Sequence, residues 1–132
     1  MLGGTIYGGE VSGTEAAVAL LGPSLMGLEH EQFHVLHLGR TLGLIGHEIY
    51  ATGGGGNVDI PLRTLFRDAL TLESRALVLA HNHPGGDPQP SRADKIETRR
   101  IVDIARQLDI RVLDHLIFGR TDWTSFRKLG LI

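Results

Sequence analysis

The sequence contains no cysteine. Disulfides and thiolate metal sites are therefore excluded, and any transition-metal site must be built from His, Asp or Glu. There is no strong charge of one sign either: 13 Lys and Arg against 15 Asp and Glu give a net charge of −2 with histidines neutral. Domains that coat nucleic acid usually carry a basic excess, so the charge does not indicate that role, although it leaves room for a local basic patch. No stretch approaches the length needed to span a bilayer. The most apolar early run, Ala16 to Gly22, is short, and no Lys or Arg precedes it, so it lacks the charged start of a secretory signal. The expectation is a cytoplasmic chain with no membrane contact. Internal repeats are also absent. The run Gly53 to Gly56 is followed by no Lys-Ser or Lys-Thr, which excludes a P-loop and leaves a flexible loop on the substrate side.

What is present fits a folded domain. The chain has 132 residues, 42% hydrophobic and 21% charged, enough for one core. Residues 1–13 are glycine-rich and are expected to form a flexible N-terminus. A single domain is expected over 14–132.

Thr14 to Leu21 has helical composition and should stop at Gly22-Pro23. Phe33 to Leu38 and Thr41 to Ala51 read as strands, with Gly39-Arg40 as the turn between them. A helix should start at Asp59-Ile60-Pro61, because Leu62, Leu65, Phe66, Ala69 and Leu70 fall on one helical face. Ala76 to Ala80 is a continuous apolar run, which suits a buried strand. A polar loop follows from His81 to Pro90, stiffened by Pro84, Pro88 and Pro90. Another helix should begin near Ser91, burying Ile101, Ile104, Ala105 and Leu108. Arg111 to Gly119 is a further strand, and Trp123 and Phe126 should anchor the tail. Helices alternating with buried strands imply an α/β layer structure with a mixed sheet.

The chemistry gathers in His81, His83, Ser91 and Asp94. His81 follows a buried strand, and residues two apart in extended chain point the same way, so the imidazoles of His81 and His83 can converge. Pro84 biases His83 toward extended geometry. Asp94 falls in the first turn of the next helix and can complete a three-ligand site. Zinc held this way keeps an open position for water, the form that generates a nucleophile at neutral pH. Ser91 could hydrogen-bond an oxyanion. A plainer reading competes: Ser91-Arg92-Ala93-Asp94 also fits a capping box, which would need no metal. Taken with two convergent histidines and a stiff loop, the metal reading is preferred.

The run His81-Asn82-His83-Pro84-Gly85-Gly86-Asp87-Pro88-Gln89-Pro90-Ser91-Arg92-Ala93-Asp94 closely resembles the RadC-type version of the JAMM motif. Asp114-His115-Leu116-Ile117 and the helix from Arg63 to Leu70 resemble their counterparts in that family, so the resemblance runs from about Glu29 to the C-terminus. It implies a three-layer mixed-sheet JAB/MPN fold related to cytidine deaminases. It also implies zinc on His81, His83 and Asp94, with Ser91 close by. Its general base is a glutamate on an early strand, which matches Glu31, with Glu29 as the alternative. Gly85 stands where RadC proteins often have Ser. The helix-hairpin-helix region often carried by RadC proteins is not found in this sequence, so DNA binding through that region is not inherited.

Three functions are therefore in play. The first is a zinc-dependent hydrolase, a peptidase or isopeptidase acting on a peptide or protein through zinc-activated water. The second is a DNA-repair-associated RadC-like protein. The third is a metal-stabilised interaction module without catalysis. Among the remaining features, Arg92, Lys95, Arg99, Arg100 and Arg106 crowd one helix and read as a solvated face broken by Glu97 and Asp103. His34 and His37 read as surface or packing residues. Asp114 and His115 should face opposite sides of the last strand, and one of them could support a metal ligand by hydrogen bonding.

Overall fold

The computed structural model describes residues 11, 13–53 and 59–132. The expected loose N-terminus falls almost wholly on residues 1–10 and 12, outside the described ones, as does most of the glycine loop at 54–58. The order is α1 (Thr14–Leu25), β1 (Glu31–Leu38), β2 (Leu44–Gly53), α2 (Leu62–Thr71), β3 (Ala76–Asn82), α3 (Arg92–Gln107), β4 (Arg111–Phe118) and β5 (Trp123–Ser125). One five-stranded sheet runs β2-β1-β3-β4-β5. Only the β3–β4 pair is parallel, joined through α3, so the sheet is mixed as expected.

The sheet is central because alternating residues bury both of its faces. Leu36, Leu38, Ala76, Val78, Ala80, Leu116 and Phe118 pack against Ala17, Leu21 and Leu25 of α1. Phe33, Val35, Leu77 and Leu79 pack against Leu65, Phe66 and Ala69 of α2 and Ile101 and Ala105 of α3. These two cores make the three layers. β3 is buried along its whole length, which is why its sequence is a continuous apolar run.

Several boundaries differ from the sequence reading, each for a physical reason. α1 runs through Pro23 to Leu25, because Leu25 is fully buried while Pro23 sits on the exposed side near the helix end. β2 starts at Leu44, later than expected, because Gly39 to Gly43 form a wider turn closed by the Gly39 N–H to the Gly43 carbonyl at 2.9 Å. Within it Leu42 takes a left-handed φ of 65°. α2 begins at Leu62, with Pro61 as its N-cap. Leu70 (56% exposed) and Leu108 (37%) lie outside the buried faces assigned to them. Phe126 is buried as expected, but Trp123 is half-buried and opens β5, a strand too short to register as a pattern.

His34 and His37 belong to the interior. His37 Nε2 lies 2.8 Å from the Tyr50 hydroxyl, which donates to Asp68 at 2.9 Å, and His37 Nδ1 lies 2.9 Å from Ser74 Oγ. The Tyr50 proton goes to Asp68, so Nε2–H donates to Tyr50 and Ser74 donates to Nδ1. Burial holds His37 at a pKa of about 4, despite the opposing pull of Asp68. An unfolded His37 takes up a proton near its ordinary value of 6.5. The unfolded chain therefore binds more protons between these values, and stability falls as pH drops through that window, by up to about 1.4 kcal/mol per pH unit. In His37→Gln this increment should vanish, so urea unfolding measured from pH 7 to pH 4.5 should show a shallower loss than in the wild type.

Candidate metal centre

His81 lies inside β3 rather than after it, paired with Phe33 of β1 and Ile117 of β4. Alternation along β3 points it to the α3 side of the sheet, with Leu77 and Leu79. His83 is the first residue beyond the strand. Its N–H donates to the Phe118 carbonyl at 2.8 Å, extending the β3–β4 ladder by one bond. The chain then turns back through Pro84-Gly85-Gly86, with the Gly86 N–H bonded to the His83 carbonyl at 2.9 Å and Gly86 at a φ of 104°. A Cβ on Gly119 would collide with the Gly86 carbonyl, so the loop rests directly on the backbone after β4.

Ser91 and Asp94 close the far side. Ser91 is the N-cap of α3: its Oγ accepts the Asp94 N–H at 3.0 Å, and the Asp94 carboxylate accepts the Ser91 N–H at 2.8 Å. The capping box and the metal reading are thus not alternatives. The same carboxylate lies 3.1 Å from His83 Nε2 through Oδ2 and 3.3 Å from His81 Nε2 through Oδ1. The two Nε2 atoms are 3.1 Å apart. Capping fixes the carboxylate before any ion arrives.

This triangle suits a metal ion. Ligand atoms of His81, His83 and Asp94 all lie within 4.8 Å of one another, and the three residues could hold an ion. A tetrahedral zinc with bonds of about 2.0–2.1 Å sets its ligand atoms about 3.3 Å apart, close to the contacts just given. The ring orientations agree. His83 Nδ1–H donates to the Asp87 carbonyl at 2.7 Å, which leaves the Nε2 lone pair facing the triangle. His81 Nδ1 lies 2.8 Å from His115 Nε2, and His115 Nδ1 lies 2.6 Å from Thr98 Oγ1. With His81 Nδ1 donating to His115, the His81 Nε2 lone pair also faces inward.

Charge in the site follows from these contacts. In the metal-free site a proton on an imidazole Nε2 takes the place of the ion: burial by itself would raise the Asp94 carboxyl, but hydrogen bonds from His81, His83 and the Ser91 N–H hold it well below the usual range. The hydrogen bond to Asp94 raises His83, against the effect of burial. Burial, with repulsion from His81, keeps His115 far below its ordinary value and therefore neutral.

Glu31 opens β1 on the same side of the sheet as Phe33 and is only 6% exposed. It lines one cavity of about 260 Å³ together with Phe33, His81, Ser91, Asp94 and Glu97. Burial raises its pKa, the two imidazoles oppose that rise, and Asp94 adds to it. Glu29 is exposed and does not line the cavity, so of these two glutamates only Glu31 does.

Three contributors were not singled out by the sequence pattern. Asn82 is buried; its amide donates to the carbonyls of Leu28 (3.1 Å) and His30 (2.8 Å), and its oxygen accepts the Gln32 N–H at 2.8 Å. This ties the approach to β1, and with it Glu31, to the strand that carries His81. Glu97 and Thr98 lie three and four residues after Asp94, a spacing that places them on one helix face and could have pointed to them. Asp114 and His115 do face opposite ways. Asp114 accepts from Thr14 Oγ1 at 3.0 Å and Ser125 Oγ at 2.6 Å on the α1 side, while His115 backs His81. Removing that support in His115→Ala should lower zinc affinity about 10–100-fold, measurable by competition with a chromogenic chelator.

A three-layer mixed sheet with two histidines and an aspartate converging at the end of a central strand defines the JAB/MPN class of fold. The family model described as RadC-like JAB domain matches residues 11–131. The chain is 41% identical over 119 residues to the UPF0758 protein YfjY of Escherichia coli (strain K12), spanning 90% of this chain and 74% of that protein. It is also 41% identical over 117 residues to the UPF0758 protein STH371 of Symbiobacterium thermophilum, covering 89% of this chain and 50% of that protein. The chain belongs to the RadC-like JAB domain family. No helix among the described residues is long and apolar enough to cross a membrane.

Proposed function

We propose that this domain is a zinc-dependent hydrolase, acting on a peptide or isopeptide bond. The observation that carries the proposal is the His81–His83–Asp94 triangle beside a cavity that His81 and Asp94 line together with the buried acid Glu31. His81, His83 and Asp94 would hold the zinc, which would supply a water whose pKa is lowered toward roughly 7. Glu31 is suited to take a proton from the attacking water, because its raised pKa brings it closer to neutral pH. The proton then returns from Glu31 to the leaving amine. Ser91 Oγ accepts from the Asp94 N–H, so its own hydrogen is free to donate to the developing oxyanion. His115 and the Asp87 carbonyl keep the two imidazoles oriented.

The test is hydrolysis of peptide and lysine-isopeptide panels by zinc-loaded protein. Activity should disappear with a chelator and return with added zinc. A protein that holds stoichiometric zinc yet cleaves nothing in either panel would favour a metal-stabilised interaction module. That second reading draws on a specific feature: Asp94 joins α3's cap to the two histidines, so an ion there would tie together β3, its loop and α3. A role in DNA repair rests on family membership alone, and family membership does not determine substrate.

A further inference from the structure

β5 covers β4 only from Leu116 to Phe118, and the Phe126 N–H adds one bond to the His115 carbonyl at 3.0 Å. Toward its start, from Arg111 to Asp114, β4 has β3 on one side and no strand on the other among the described residues. A cavity flanks this open edge on each face of the sheet. The one on the α3 side, about 390 Å³, has an aliphatic floor of Val102, Ile110 and Val112 beneath Arg99 and Arg106. The one on the α1 side, about 160 Å³, is lined by small apolar groups that include Val11, Ala17 and Val78. Arg111, Leu113 and Arg127 line both cavities, which places the strand edge between them.

The charge is one-sided. Asp103 approaches Arg99 at 3.8 Å and Arg106 at 3.9 Å, both across exposed surface. Arg111 and Arg127 form no ion pair among the described residues. The acid in the smaller cavity, Asp114, is already occupied: it accepts from Thr14, Ser125 and the backbone N–H groups of His115 and Arg127.

We propose that this edge of β4 docks an extended acidic segment of a partner protein by strand addition. Side chains of an added strand alternate between the faces. On the α3 side, carboxylates would meet the arginines while their methylene stems cover the aliphatic floor. On the α1 side, small apolar side chains would enter the smaller cavity. The preferred ligand therefore alternates acidic and small apolar residues. A second copy of this chain fits poorly, because pairing two such edges opposes Arg111 and Arg127 with their own kind. Nucleic acid also fits poorly, since no aromatic side chain lines either cavity for base stacking.

The test is a titration of the isotope-labelled full chain with an N-acetylated hexapeptide of alternating Glu and Val, followed by amide NMR. Shifts should concentrate at Arg111 to Asp114 and around Arg127, and weaken with salt. The Arg111→Glu, Arg127→Glu double variant should bind at least about 10-fold more weakly, with the amides of His81 and His83 unmoved as a check on the fold. A Lys-for-Glu hexapeptide should not bind. No shift at about 1 mM peptide, equal binding by the double variant, or stronger binding of oligothymidylate would overturn the proposal. So would concentration-dependent shifts of the same amides without peptide, which would assign the edge to self-association.

Discussion

Glu31→Gln should lower the hydrolytic rate about 10²–10⁴-fold while leaving zinc stoichiometry unchanged. The exchange keeps the size of the side chain and its place at the start of β1, and it removes only the ability to take a proton. Glu31 is not one of the three groups in the metal triangle, so the ion should stay. Losing a buried acid whose burial already disfavours its charge should not unfold the protein. The check is single-turnover hydrolysis alongside metal analysis of the same preparation. A variant with bound zinc and the wild-type rate would remove Glu31 from the mechanism. A variant that lost its zinc would make Glu31 part of the metal-holding structure.

Asp94→Asn should separate the two tasks of one carboxylate. As the N3 residue of a capping box, Asn can still accept the Ser91 N–H, so the cap's own contribution to metal-free stability should change by about 1 kcal/mol or less, and any larger loss measures the contacts with His81 and His83. As a metal ligand it loses its negative charge, and zinc affinity should fall more than about 100-fold, beyond the loss expected from an outer hydrogen-bond partner. Chelator competition and urea unfolding of metal-free protein measure the two effects independently. If affinity is retained, Asp94 only caps α3. If metal-free stability collapses, the carboxylate's contacts with His81 and His83 carry more of the fold than the cap does.

Much of this arrangement was legible in the chain. The apolar run Ala76 to Ala80 marks a strand buried on both faces, and the His81–His83 spacing marks where it ends. Asp114 and His115 could be assigned to opposite faces from alternation alone. Other features depend on tertiary contacts that no local pattern carries. His81 reads as the residue after a strand because it is polar, yet β1 and β4 both pair with it. Pro23 reads as a helix stop, yet the buried side chain of Leu25 carries α1 past it. Asn82 looks like a spacer between two histidines until the chain brings Leu28, His30 and Gln32 to its amide. Ser91 and Asp94 presented two competing explanations in sequence, and only the folded geometry brings the cap and an imidazole to the same Asp94 oxygen, Oδ2.

The most direct test of the central claim is the metal content of wild-type protein purified without chelator or histidine tag, measured beside His81→Ala. The account predicts about one zinc ion per chain in the wild type and none in the variant. Wild-type protein that holds no metal even after zinc is supplied would contradict it, leaving Ser91 and Asp94 as a helix cap beside two hydrogen-bonded histidines.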